Sequence, residues 1–150
     1  MGDRAADRRR RWPHPALMSA PTTTRVGVIL AVSNVESSVA FYRDRLGFEL
    51  EASYDDPPYA TLVLDDTRLS LAEQGYRAED RPGVLMEAPR DTSRLQVVLV
   101  LEVTDCRGSS EELRDEGVEF LADPYSPPWG GARCFAVDPD RYLVELEEPA

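Results

Sequence analysis

Pro127-Pro128-Trp129-Gly130-Gly131-Ala132-Arg133-Cys134-Phe135-Ala136-Val137-Asp138-Pro139-Asp140-Arg141-Tyr142-Leu143-Val144-Glu145-Leu146-Glu147-Glu148 reads as a Gly-rich loop, a strand, a tight turn and a final strand. Proline presets φ at the second position of a turn and aspartate suits the positions around it, so Asp138-Pro139-Asp140 folds the two strands into a hairpin. Alternation along the last strand puts Tyr142, Val144 and Leu146 on one face and Leu143, Glu145 and Glu147 on the other. One face asks for a core while the other carries acid, and Glu145 becomes the residue to explain.

Upstream of the hairpin, Leu95 to Val103 reads as a buried strand, Thr104 or Asp105 as the cap of a helix to about Glu116 stopped by Gly117, and Val118 to Leu121 as a short strand. The first half has the same order. Arg25 to Val32 is a nearly continuous β-type run that fits a strand covered on both faces. Ser33-Asn34-Val35-Glu36 is a capping box opening a helix through Leu46, with Gly47 as its stop and Val35, Val39, Tyr42 and Leu46 as its apolar stripe. Phe48 to Tyr54 alternates as a strand; after Asp55-Asp56-Pro57-Pro58, Tyr59 to Leu64 and Arg68 to Glu73 form a hairpin across Asp65-Asp66-Thr67. The letters repeat too: Leu30-Ala31-Val32-Ser33-Asn34 matches Leu101-Glu102-Val103-Thr104-Asp105.

The expected fold is therefore α+β, with two βαβββ modules whose helix-free faces form a curved mixed sheet around a cavity. Module one spans 25–73, a polar connector broken by Gly and Pro spans 74–94, and module two spans 95–148, together one domain over 25–150. Residues 1–24 combine an Arg run, prolines and a Thr run without periodicity, which predicts a flexible extension; Met18 is an alternative start, and the only histidine, His14, lies here.

The net charge of the 150-residue chain is −11. Residues 1–24 hold five Arg and two Asp, which leaves 12 basic and 26 acidic groups in the rest. So acidic a body disfavours nucleic acid as a partner and suits a cationic ligand or simply a solvated surface. No apolar run approaches the roughly 18 residues of a membrane span, so no membrane partner is expected and the expected compartment is the cytoplasm. Cys106 and Cys134, far apart and without metal-type spacing, read as unpaired thiols of a reducing compartment. No phosphate loop is present, and Ser70 lacks the neighbouring base that would make it a nucleophile.

The paired modules, the stretch Val35-Glu36-Ser37-Ser38-Val39-Ala40-Phe41-Tyr42-Arg43-Asp44-Arg45-Leu46-Gly47-Phe48 and the stretch Phe135 to Leu146 resemble the vicinal oxygen chelate superfamily of glyoxalases, extradiol dioxygenases and bleomycin-resistance binding proteins. The resemblance covers roughly residues 25 to 148 and implies a small organic ligand and a homodimer. Family enzymes hold a divalent metal with His, Gln or Glu from the first strand of each module and Glu from the last strand. Placed by local pattern, these positions fall at Gly27, Ser70, Val98 and Glu145, of which only Glu145 has a side chain able to bind a metal; a slip of two would bring Gln96 onto the face of Val98. The resemblance thus implies that no metal and no cofactor is held. The usual Gly at the end of the Asp-Pro-Asp turn is replaced by Arg141.

Each candidate site residue has two readings. Glu145 can receive a cationic group or act as a base, or it is a relic paired with Arg133. Glu102 shares the phase of Val98 and Val100 and can point the same way. Trp129 can stack on a planar or cationic ligand, or anchor the rim. Arg133 is an anion clamp or an ion-pair partner. Tyr54 and Tyr59 line an opening or are strand-end aromatics, and Ser70 stands at the fourth-strand position. The leading expectation is a bleomycin-resistance-like binder that sequesters a cationic or aromatic compound. The alternatives are a glyoxalase-like lyase, isomerase or dioxygenase, metal-dependent through other donors or metal-free through Glu145, and a non-catalytic interaction module.

Overall fold

The computed structural model describes Pro13 and residues 20–150. Most of the expected extension, with His14 and Met18, lies outside the described residues. The first module consists of β1 (Val26–Val32), α1 (Val35–Ala40) continued by a π-helical turn (Phe41–Arg45), β2 (Glu49–Asp55), β3 (Pro58–Leu64) and β4 (Thr67–Glu73). The second consists of β5 (Val98–Glu102), α2 (Cys106–Asp115), β6 (Glu119–Phe120), β7 (Ala132–Val137) and β8 (Leu143–Glu148). The eight strands divide into two four-stranded mixed sheets, ordered β1-β4-β3-β2 and β5-β8-β7-β6, with the first strand of each module parallel to its last. This is the doubled βαβββ pattern expected from the repeat.

Local chemistry sets the helix ends, with one correction. Asn34, not Ser33, caps α1: its Oδ1 accepts from the Ser37 amide at 2.8 Å. The Ser33 amide is taken instead by a distant carboxylate, donating to both oxygens of Asp140 at 3.1 and 3.0 Å. Asp105 caps α2 as one of the two expected candidates, accepting from the Gly108 amide at 2.9 Å. Gly47, at φ 77°, supplies the left-handed residue after the first helical segment.

Both modules bury the helix-bearing sides of their sheets: a smaller cluster of Cys106, Ala132, Cys134 and Leu146 joins α2 to β7 and β8, and the main cluster is shared between the modules. Leu30, Val32, Tyr42, Phe48, Leu62, Leu69 and Leu71 meet Val118, Ala136, Tyr142 and Val144 there. Each fully buried Val or Leu contributes about 1.5–3 kcal/mol, so this shared cluster is what joins the halves. Among the described residues the helix-free sides stay partly open. Ile29 in β1 is 50% exposed and Val100 in β5 48%, so neither strand is covered on both faces as its apolar letters suggested, and β5 is shorter than the expected Leu95 to Val103. Apolar strand runs signal burial on both faces, but among the described residues the second face is covered only in part, on the first module by connector residues Tyr76, Ala78 and Met86, which line a cavity with Ile29, Tyr59 and Ala72.

The closing turn does more than reverse the chain. The Tyr42 hydroxyl donates to Asp138 Oδ2 at 2.8 Å, and Asp138 Oδ1 accepts from the amides of Asp140 and Tyr142, each at 2.8 Å. The Tyr142 hydroxyl donates to the Ala31 carbonyl at 2.8 Å. Burial pushes the Asp138 carboxyl up to about 6 against these donors, and pushes the Tyr142 phenol up to about 12. The two cysteines are also nearer than their sequence distance suggested: their free thiols lie 3.5 Å apart, both buried. Burial, with Cys106 alongside, pushes the Cys134 thiol up to about 12, which keeps it an inert thiol.

Because Asp138 holds its proton more tightly folded than unfolded, its contribution to stability is complete below about pH 4 and is lost as pH rises through about 6. Asp138→Asn, which keeps a neutral acceptor, should remove that part of the pH dependence. In urea unfolding at pH 4.5 and pH 7.5, the difference between wild type and variant should change by on the order of 2 kcal/mol in favour of the wild type at the lower pH.

Candidate functional site

The helix-free face of the second module gathers four of the residues singled out in the sequence. Strand pairing sets Glu145 between Val100 and Phe135, and Glu147 between Glu102 and Arg133. The Glu145 side chain is 13% exposed. Arg133 reaches toward both acids: its Nε lies 3.7 Å from Glu145 Oε1 and a terminal nitrogen 3.7 Å from Glu147 Oε1. Both distances exceed hydrogen-bond range, and Arg133 Nε is buried without an acceptor among the described residues. The guanidinium also lies over the Trp129 ring, 5.6 Å from its centroid, while Trp129 is itself 69% exposed.

Glu145 and Glu147 thus share one guanidinium, with Glu102 beside Glu147 on the neighbouring strand, so the face carries three acids to one base beside an exposed indole. Both readings of Glu145 meet in this geometry: it sits beside Arg133 as a partner, yet too loosely to be consumed by it. The same holds for Arg133, whose charge is shared among two carboxylates and a ring. Glu147 was passed over as a candidate, although the two-residue period that singled out Glu145 places it on the same face.

Tyr54, Tyr59 and Ser70 belong to the other module and do not join this group within its sheet. Tyr54 and Tyr59 are opposite one another on β2 and β3, with ring centroids 6.3 Å apart. Tyr59 and Ser70, the latter 4% exposed, line a cavity of about 370 Å³ on the first module's helix-free face.

The donor set does not fit a divalent cation. The register places Ile29 beside Ser70 and Val100 beside Glu145, and Gln96 precedes β5 rather than pairing within it. Among the described residues, no three of His, Cys, Asp and Glu come close enough to grip an ion. Catalytic metal sites draw on at least three protein ligands as a rule.

A doubled βαβββ domain with a shared inner core and open polar sheet faces defines a scaffold for small-molecule sites. The chain belongs to the Glyoxalase/Bleomycin resistance protein/Dioxygenase superfamily, whose profile matches residues 24–146. The lactoylglutathione lyase of Salmonella typhimurium is 27% identical over 128 residues, covering 80% of this chain and 88% of that one. The uncharacterized protein YetH of Bacillus subtilis is 27% identical over 104 residues, covering 69% and 80%. Among solved structures, a glyoxalase/bleomycin resistance protein/dioxygenase from Nocardioides shares the fold with a TM-score of 0.70 at 23% identity, covering 88% of this chain and 87% of the other. TnmS3, an antibiotic binding protein from Streptomyces sp. CB03234, does so with a TM-score of 0.64 at 23% identity, covering 87% and 100%.

Equilibrium dialysis against zinc, nickel or manganese, followed by elemental analysis, should find well below one ion per chain, and Glu145→Gln should not change that figure. A stoichiometric ion lost in the variant would show that further donors complete the site.

Proposed function

We propose that this protein is a metal-independent binder of small organic molecules that takes a cationic or aromatic guest on the second module's helix-free face. Glu145, Glu102 and Glu147 supply negative charge, Trp129 a stacking surface, and Arg133 lies 3.7 Å from each of the two inner carboxylates. One observation carries the reading: the helix-bearing sides of both sheets are buried, mainly in a common core, while the faces with polar and aromatic groups stay partly open. A second copy of the chain covers those faces, so the working form is a cytoplasmic homodimer with the first module's Tyr54, Tyr59 and Ser70 facing the guest from across the interface. Exposed Ile29, Val98 and Val100 suit such a cover. The antibiotic-binding relative shares this architecture, which supports sequestration as the use of the site.

The Salmonella likeness favours a second reading, a glyoxalase-like lyase or isomerase in which Glu145 moves a proton. The two separate on one variant. Isothermal titration with planar cationic aromatics should give saturable binding that Glu145→Gln weakens at least about tenfold, a loss of roughly 1.4 kcal/mol, with no turnover of any guest. Turnover abolished by Glu145→Gln while binding persists would favour the enzyme. Sedimentation should find a dimer, and a monomer that binds with full affinity would remove the partner from the site.

A further inference from the structure

We infer that the first module's helix-free face carries a subsite of its own for an anionic oxygen group, a carboxylate on an apolar or aromatic body, centred on Arg68. The cavity of about 370 Å³ there is lined by Arg25, Gly27, Ile29, Tyr59, Arg68 and Ser70 among others. Its two cations are not equivalent. Arg25 is already engaged, two of its nitrogens donating to the two oxygens of Glu51 at 3.2 and 3.3 Å. Glu51 also feels the charge of Arg68 but, of the two arginines, hydrogen-bonds to Arg25 alone, so among the described residues Arg68 is left without a hydrogen-bonded carboxylate, in a chain whose net charge is −11.

Arg68 is also under-satisfied as a donor. Its Nε is buried from solvent and finds no acceptor among the described residues. A buried guanidinium nitrogen without water or an acceptor is a standing demand for one, and the planar fork of arginine matches a carboxylate in particular. The backbone makes room for it. Gly27 pairs with Arg68 across β1 and β4, and a Cβ at Gly27 would lie 2.7 Å from the Arg68 carbonyl oxygen and 3.0 Å from its Cβ. Any side chain at that position would push into the stem of Arg68, so the missing one leaves the arginine free to lie along the sheet. Ser70, two residues on and on the same face, adds a buried hydroxyl, while Ile29 and Tyr59 provide an apolar wall for the body of the ligand.

This subsite lies on the first-module face that carries Tyr59 and Ser70 and rests on the reading above for its place in the dimer, but it is opposite in sign to the acidic face, so its test separates from the test of that site. Benzoate, acetate and inorganic phosphate are titrated into the full chain at constant ionic strength, with benzamide as the neutral isostere of benzoate, by calorimetry and thermal shift. Benzoate should bind saturably and raise the melting temperature while benzamide does neither. Arg68→Gln should weaken benzoate at least tenfold, whereas Arg90→Gln, which removes the same charge from an exposed connector side chain, should leave it unchanged. Arg68→Lys serves as the second variant, keeping the charge but losing the fork, and should bind with intermediate affinity. Equal behaviour of benzoate and benzamide, or undiminished binding in Arg68→Gln, would overturn the inference. So would an Arg68→Gln protein whose dimer weakens with no effect of anions, since Arg68 would then belong to a carboxylate of a second copy. Loss of anion binding with cationic-aromatic binding intact confirms this subsite whatever becomes of the other.

Discussion

The structure depends on a single buried turn. Asp138-Pro139-Asp140 belongs to the second module by sequence, yet its carboxylates accept from Tyr42 and Ser33 of the first, and the neighbouring Tyr142 reaches the backbone of β1 at Ala31. Two acids buried in an apolar core are costly unless their acceptor capacity is filled, and here amides and a phenol fill it. The halves are thereby fixed in one relation rather than hinged on their connector, because any other would cost Asp138 its Tyr42 donor and Asp140 its Ser33 donor.

Fixing that relation decides which surfaces remain for chemistry. With the helix-bearing sides turned inward, each sheet presents its other face outward, and the two outward faces have diverged. The second carries three carboxylates, an arginine and an indole; the first carries an unmatched arginine between a glycine and a serine. At equivalent strand positions Ser70 and Glu145 stand in for one another, so the repeat kept its backbone and changed its charge. A pair of unlike faces suits a guest that is itself uneven, with different polar groups at its two ends.

Much of this was legible in the letters. The two-residue period of Tyr142 to Glu147 and the repeated Leu-x-Val-[Ser/Thr]-[Asn/Asp] set the modules, the core side and the acidic side, because alternation is a geometric property of extended chain. What escaped the sequence was long-range. Ser33 looked like a cap because it stood at the right spacing from Glu36, and only the fold brings Asp140 to its amide, leaving Asn34 to cap. Cys106 and Cys134 gave no sign of meeting, since nothing local ties α2 to β7. Arg68 stood in the sequence only as the first residue of a hairpin strand, since nothing local shows that Glu51 hydrogen-bonds to Arg25 instead. Charge counted along a chain does not say which charges find each other.

Arg141 stands where a glycine would turn the chain without strain, and it adopts φ 72° nonetheless. A left-handed arginine costs on the order of 1 kcal/mol relative to glycine. In return its guanidinium donates to Glu119 at 2.9 Å and to Thr92 at 3.3 Å, clasping β6 and the connector to the buried turn. An exposed pair of that kind recovers at most about 1 kcal/mol, so the exchange is close to even in free energy and is felt instead in order. One residue ties the end of the long inter-module linker to the very point where the modules are locked, while the linker's earlier part lies against Ile29, Tyr59 and Ala72 on the first module's helix-free face.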